Sequence, residues 1–111
     1  MKTLTDPIEI HQAKSFLERF EAIPEERWCC DIFCARQSDG DFSYCALGHL
    51  GVRNNTIGSA EARQLCQLFE KLGVLVSSVN DGRAWCCSSI PMPATPKDRI
   101  VTCLKLLLGI K

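Results

Sequence analysis

Apolar side chains recur at helical spacing in three segments, and each segment carries its own boundary signals. The first covers residues 7–22, with Asp6 or Thr5 as the N-cap and a proline at the first helical position. The second covers residues 59–73 and the third residues 95–109, and each begins at a hydroxyl side chain and ends at a glycine. These patterns predict three amphipathic helices. Their apolar stripes consist of Ile8, Ala13, Phe16, Leu17 and Phe20; Ala62, Leu65, Cys66, Phe69 and Leu72; and Ile100, Val101, Leu104, Leu107 and Leu108.

Between the first two helices, the pattern changes to one typical of strands. Residues 28–35 are rich in aromatic and small apolar side chains on both faces, which favours a buried strand. Residues 38–41 read Ser-Asp-Gly-Asp, a turn signal, and residues 42–44 can return as a second strand. The sequence therefore predicts a β-hairpin here, and a short helix over residues 45–51 after it.

A second β region is predicted further along the chain. Residues 74–79 favour a strand by their β-branching, although the segment is too short to exclude a helical turn. A turn signal at residues 80–83 separates it from a possible short strand over residues 84–90. Together these elements predict a single domain over residues 1–111, in the α+β class, helix-dominated with one or two short β-hairpins.

Composition and charge exclude several classes of protein. The chain has 111 residues, of which 46% are hydrophobic and 23% charged, as in an ordinary globular domain. Its 13 basic residues balance 13 acidic ones, so the basic excess of a nucleic-acid-binding protein is missing. No apolar run approaches the roughly 20 residues of a membrane span. The first residues lack the pattern of a signal peptide, and we expect a cytoplasmic protein.

The chain is rich in cysteine, with eight in all. In a reducing compartment we expect thiols that pack as small hydrophobic side chains. A structural zinc site is the alternative, with Cys30, Cys34, Cys45 and His49 as its ligands. The second Cys-x2-4-Cys pair of such sites is missing, so we predict no bound metal.

Several short motifs follow one another in an order that covers residues 15–108. They are Arg27-Trp28, Asp39-Gly40, the run Tyr44-Cys45-Ala46-Leu47-Gly48-His49-Leu50, Asn80-Asp81, and a final helix that starts at Thr95. This order resembles a family of short uncharacterised bacterial and bacteriophage proteins. The resemblance implies a small cytoplasmic protein, often encoded by mobile elements, and it supplies no activity. The chain departs from the family at His49, where the family has a small residue, and in an apparent insertion of Trp85-Cys86-Cys87.

One constellation has the residue types of a cysteine hydrolase. Cys45 at a helix start could form a thiolate, His49 could act as the base, and Asn80 or Asp81 could orient it. The arrangement is incomplete, because His49 one turn after Cys45 would occupy the space needed for an oxyanion. We therefore favour burial of Cys45 in the core, with His49 at or near the surface.

The two tryptophans are candidates for ligand binding. Trp28 and Trp85 could stack on a planar ligand, with Arg27, Arg36 or Arg83 reaching a phosphate, although core packing is the favoured interpretation of two large aromatic residues. The sequence contains no glycine-rich phosphate loop and no His-Glu-x-x-His motif, so we predict no cofactor.

The sequence favours a binding protein over an enzyme. We expect an intracellular accessory protein that binds a protein partner or a small ligand through Trp28, Cys45, Asn80, Asp81 and Trp85, and the cysteine hydrolase is the alternative. Unpaired amides at a helix start attract amide and carboxylate side chains. We therefore predict that Asn80 or Asp81 lies at the start of the helix opened by Cys45, next to Trp28.

Overall fold

The computed structural model describes residues 3–29, 34–36, 42–50 and 60–110. Helices dominate this part of the chain. The described helices are α1 (Pro7–Glu21), α2 (Ala46–His49), α3 (Ala60–Glu70), α4 (Val76–Asn80) and α5 (Pro96–Leu107), with a 3₁₀ turn at Glu25–Arg27; the described strands are β1 (Cys34–Arg36) and β2 (Phe42–Tyr44).

The three long helices lie where the apolar periodicity predicts them, and their boundaries follow from local chemistry. The Asp6 carboxylate accepts a hydrogen bond from the Ile8 amide at 2.8 Å, which caps α1. The Thr95 hydroxyl accepts one from the Asp98 amide at 3.2 Å, which caps α5. The predicted cap of α3, Ser59, lies outside the described residues.

The hydrophobic core lies between α1 and the two helices that pack against it, α3 and α5. Phe20 of α1 and Phe69 of α3 are fully buried, as are the apolar side chains along one face of α5. The chain before α1 joins the same core, because the Leu4 amide donates a hydrogen bond of 2.7 Å to the Leu107 carbonyl near the end of α5. None of the described helices is long and apolar enough to cross a membrane.

The prediction of an α+β class is wrong, because the fold is all-α. Strand pairing in the described residues is limited to β1 and β2, three residues each, with Cys34 opposite Tyr44 and Arg36 opposite Phe42, and to an isolated bridge between Trp28 and Tyr44. A ladder of this length forms no layer on which helices can pack. The turn predicted at residues 38–41 lies outside the described residues.

The second predicted β region is also wrong. Residues 74–79, expected as a strand, contribute instead to α4, and residues 84–90 form no strand. Val76 and Val79 are both buried, and a spacing of three residues places them on one face of a helix. Burial of this face against the other helices therefore outweighs the β propensity of its valines.

Candidate functional site

The start of α2 is joined to the end of α4 by the side chain of Asn80. The Asn80 Oδ1 atom accepts a hydrogen bond of 3.0 Å from the Ala46 amide. Its Nδ2 atom donates to the Cys29 carbonyl at 2.9 Å and to Asp81 Oδ1 at 3.0 Å. Asn80 is fully buried. We call Cys29, Cys45, Ala46, Asn80 and Asp81 the Asn80 hub, and its geometry confirms the predicted placement of Asn80 beside this helix start.

Cys45 closes the hub from the side of α2. It is the N-cap of that helix, and its Sγ atom accepts a hydrogen bond of 3.4 Å from the Gly48 amide. The side chain is buried, and desolvation raises the pKa of the thiol despite the hydrogen bond from Gly48, which lowers it. The negative charge of Asp81 raises this pKa further. A thiol in this position is poorly suited to act as a nucleophile.

His49 lies in an aromatic cluster. Its ring centroid is 4.9 Å from that of Trp28 and 5.2 Å from that of Tyr44, and both pairs are steeply tilted. On its other side Trp28 contacts Phe20 edge to face, with the centroids 5.4 Å apart. Trp28 is 6% exposed, and its buried Nε1 atom has no hydrogen-bond acceptor among the described residues. The cluster thus joins the Asn80 hub to the core, with Trp28 next to the hub residue Cys29.

Trp85 is held away from this cluster. Its Nε1 atom donates a hydrogen bond of 2.8 Å to the Ile90 carbonyl, and the half-buried ring packs against the core. In the part of the chain that the structure describes, Trp28 and Trp85 make no ring contact with each other. The stacking pair expected for a planar ligand is therefore not formed. The side chain of Arg36, one of its expected phosphate ligands, lies outside the described residues.

A residue that the sequence analysis missed, Arg99, holds the other side of α4. The guanidinium donates from Nε to the Val79 carbonyl at 3.0 Å, from Nη2 to the Asn80 carbonyl at 2.7 Å and from Nη1 to the Pro93 carbonyl at 3.2 Å. It therefore satisfies carbonyls at the end of α4 that have no partner within the helix. The available signal was spacing, because Arg99 shares one helical face with the buried Cys103 and Leu107.

Gly82 gives the guanidinium of Arg99 its space. The φ angle of Gly82 is 75°, in the left-handed region that favours glycine. A Cβ atom at this position would lie 3.3 Å from Arg99 Cζ, closer than most such contacts. The turn after α4 is therefore shaped around the buried arginine.

The described residues offer no metal site beside this geometry, and no known relative helps to interpret it. The described residues contain no group of three or more His, Cys, Asp or Glu side chains that could hold a metal ion. The side chains of Cys30 and Cys34, two of the four possible zinc ligands, lie outside the described residues. No family model, curated protein or solved structure matches the chain. The resemblance to bacterial and bacteriophage proteins stays a hypothesis.

Replacing Asp81 by Ala should lower the free energy of unfolding by about 1–2 kcal/mol, the usual scale for losing one side-chain hydrogen bond. The Asp81 carboxylate accepts a hydrogen bond from the Asn80 amide and so orients it. The substitution removes this bond but leaves the hydrogen bonds of Asn80 to Ala46 and Cys29 in place. Urea unfolding followed by tryptophan fluorescence measures the change. The control is Glu18→Ala, at an exposed position of α1, which should change the free energy of unfolding by less than about 0.5 kcal/mol. A loss at Asp81 no larger than the control would contradict this role.

The thiols should differ widely in their rates of alkylation. Cys87 is half-exposed, and a hydrogen bond of 2.8 Å between its Sγ atom and Ser89 Oγ lowers the pKa of this thiol. Burial raises the pKa of Cys45 and that of Cys103. At pH about 7.5, iodoacetamide should therefore alkylate Cys87 before the other two, because the thiolate is the reacting form. Mass spectrometry of timed digests measures the rates.

A neighbouring pair of serines supplies the control for this experiment. Ala at position 89 removes the hydrogen bond and should slow the alkylation of Cys87, whereas Ala at Ser88, an exposed residue, should leave it unchanged. Alkylation of Cys45 first would contradict the prediction and would favour the cysteine hydrolase.

Proposed function

We propose that this protein is a non-enzymatic binding module, an intracellular accessory protein of a bacteriophage or mobile element that holds a small ligand or a protein partner. The buried, internally hydrogen-bonded Asn80 hub argues against the hydrolase and also takes Asn80 and Cys45 out of the expected binding site, so a surface pocket elsewhere carries the proposal. The polar side-chain atoms of Asn80 and Cys45 form hydrogen bonds with other residues of the chain, and both side chains are buried, so they have a structural role. The hydrolase would need an exposed Cys45 with a depressed pKa, and both features are missing.

In this proposal the small ligand binds in a surface pocket at the far end of α5. Its volume is about 370 Å³, at the lower end of the range for ligand pockets. Apolar side chains of the 87–90 turn and of α5 form much of the wall, and threonine, serine and cysteine side chains supply polar groups. We call it the C-terminal pocket; its lining residues are Thr3, Cys87, Ser89, Ile90, Leu106, Gly109 and Ile110.

This pocket favours a small, partly apolar molecule as the ligand. A volume of this size accommodates a fragment-sized compound, and burial of apolar ligand surface against Ile90 and Leu106 supplies the main driving force. The hydroxyl groups of Thr3 and Ser89 can orient a polar group of the ligand. The bacteriophage setting and the cytoplasmic location rest on the sequence resemblance.

A fragment titration tests the proposal. The ¹⁵N-labelled protein is titrated with a panel of small aromatic and aliphatic compounds at millimolar concentration, and amide shifts are followed by NMR. The expected result is a set of shifts that centre on Ser89, Leu106 and Ile110. Shifts that centre elsewhere, or no binding by any compound, would overturn the small-ligand form of the proposal.

Two exposed aliphatic residues give a matched pair of variants for this titration. Ile110 lines the pocket and is 44% exposed, and Leu75 is 66% exposed and does not line it. The substitution Ile110→Glu should weaken ligand binding at least tenfold, because it places a charge in the apolar wall of the pocket. Glu at position 75 should leave binding unchanged, and equal losses in the two variants would contradict the assignment of the pocket.

A further inference from the structure

Two thiols from distant parts of the chain meet beside α5. Cys103 is fully buried on α5, and its S–H donates a hydrogen bond of 3.6 Å to Sγ of the half-buried Cys86. A disulfide joins its sulfur atoms at about 2.05 Å, so the two atoms need to approach by roughly 1.5 Å to form a bond. Cys86 lies in a segment without regular secondary structure, residues 84–95, which can supply this movement without disturbing a helix.

We propose that Cys86 and Cys103 form a redox pair that a small-molecule disulfide converts into an intramolecular bridge. This inference goes beyond the binding function and does not depend on it. The pair is already assembled by the fold, so its oxidation does not wait for a rare collision between distant parts of the chain. Cys86 is the accessible member, and Cys103 is the buried member that completes the bridge.

The reaction takes place in two exchange steps. The Cys86 thiol loses its proton to the solvent, and the thiolate attacks one sulfur of the small disulfide RSSR. A Cys86–SR mixed disulfide forms, and RS⁻ leaves and takes up a proton. Cys103 then attacks Sγ of Cys86, which expels the second RS⁻, and this thiolate takes up the proton that Cys103 releases. In sum, two protein thiols are oxidised to one disulfide and RSSR is reduced to two RSH.

The neighbouring thiol, Cys87, is the competing site. Its hydrogen bond to Ser89 favours its thiolate, so it should react with the small disulfide faster than Cys86 does. The Cys87 sulfur is hydrogen-bonded to Ser89, however, and not to Cys103. The mixed disulfide of Cys87 is therefore the expected final product at that residue. Cys87 and Cys86 thus provide two thiols of the same segment with different expected fates.

Bridge formation should stiffen the protein around the C-terminal pocket. The bridge closes a loop between residues 17 apart in sequence and ties the 84–95 segment to α5. Both elements line the pocket, so on the proposed function the bridge would also alter ligand affinity. Closure of a loop of this length should raise Tm by roughly 5 °C or more, and dithiothreitol should reverse the rise.

Disulfide mapping tests the proposal directly. The folded protein is incubated with oxidised glutathione at pH about 8, remaining thiols are alkylated, and unreduced tryptic peptides are identified by mass spectrometry. Cleavage after Arg83, Lys97, Arg99 and Lys105 releases peptide 84–97, which holds both Cys86 and Cys87, and peptide 100–105, which holds Cys103. The expected product links these two peptides, and Cys87 carries glutathione.

Two serine variants assign the bridge to Cys86. The cross-link should persist in Cys87→Ser and disappear in Cys86→Ser, with circular dichroism as the check that each variant is folded. Unlinked peptide 100–105 in the folded wild type and in Cys87→Ser would overturn the proposal, and so would a cross-link that persists in folded Cys86→Ser. The mapping uses no ligand, so its outcome is independent of the fragment titration.

Discussion

Replacing Asn80 by Ala is expected to lower the free energy of unfolding by about 3–5 kcal/mol. The substitution removes the acceptor for the Ala46 amide and the donor to the Cys29 carbonyl at the same time. Each buried group left without a partner costs about 1–3 kcal/mol. Because Asn80 is fully buried, water has poor access to replace the lost bonds. Since a domain of this size has a total stability of about 5–15 kcal/mol, the variant should lose a large part of it.

Equilibrium unfolding in urea measures this loss, with tryptophan fluorescence as the probe because Trp28 packs next to the hub. The control is Ser88→Ala, at an exposed polar residue, which should change the free energy of unfolding by less than about 0.5 kcal/mol. A loss below about 1 kcal/mol in Asn80→Ala would show that the hub is not a determinant of stability. A loss equal to that of Asp81→Ala would assign the stabilisation to the pair and not to the bonds with Ala46 and Cys29.

Replacing Arg99 by Met should have an effect of similar size, about 3–5 kcal/mol. Methionine keeps much of the apolar stem but removes the guanidinium donors to the Asn80 and Pro93 carbonyls and leaves the Val79 carbonyl with the Gly82 amide. Lysine should not rescue the variant, because a single ammonium group cannot reproduce the planar fork that reaches three carbonyls in different directions. Thermal and urea unfolding of both variants measure the effect.

The chain offers a matched control for Arg99. Arg63 lies on the exposed face of α3, and its replacement by Met should change stability by less than about 0.5 kcal/mol. Equal losses at the two arginines, or full stability in Arg99→Lys, would show that the carbonyl bonds contribute little.

The long helices could be predicted because their signals are local. An apolar stripe, a capping side chain such as Asp6 and a terminal glycine such as Gly109 all lie within a few residues of the element they define. The α4 helix was missed for the opposite reason. Its valines favour strands in isolation, and only packing against distant helices decides in favour of the helix.

The candidate site could be predicted in part. Unpaired amides at a helix start need acceptors, which correctly placed Asn80 at the start of α2. The closed nature of the hub did not follow from the sequence, because burial depends on the whole fold. The C-terminal pocket was missed entirely, since its wall combines Thr3, the 87–90 turn and the end of α5. No short-range pattern links three such segments.

The hydrogen bond between Leu4 and Leu107 has a consequence for synthesis on the ribosome. The buried face of α1 packs against α5, which lies near the other end of this sequence and is made much later. At a translation rate of about 5–20 residues per second, the nascent α1 waits several seconds for this partner. During that interval Phe16 and Phe20 face solvent or a chaperone, and the core closes only after α5 has left the exit tunnel. Closure of this core is therefore late relative to the synthesis of α1, although most of the secondary structure is local.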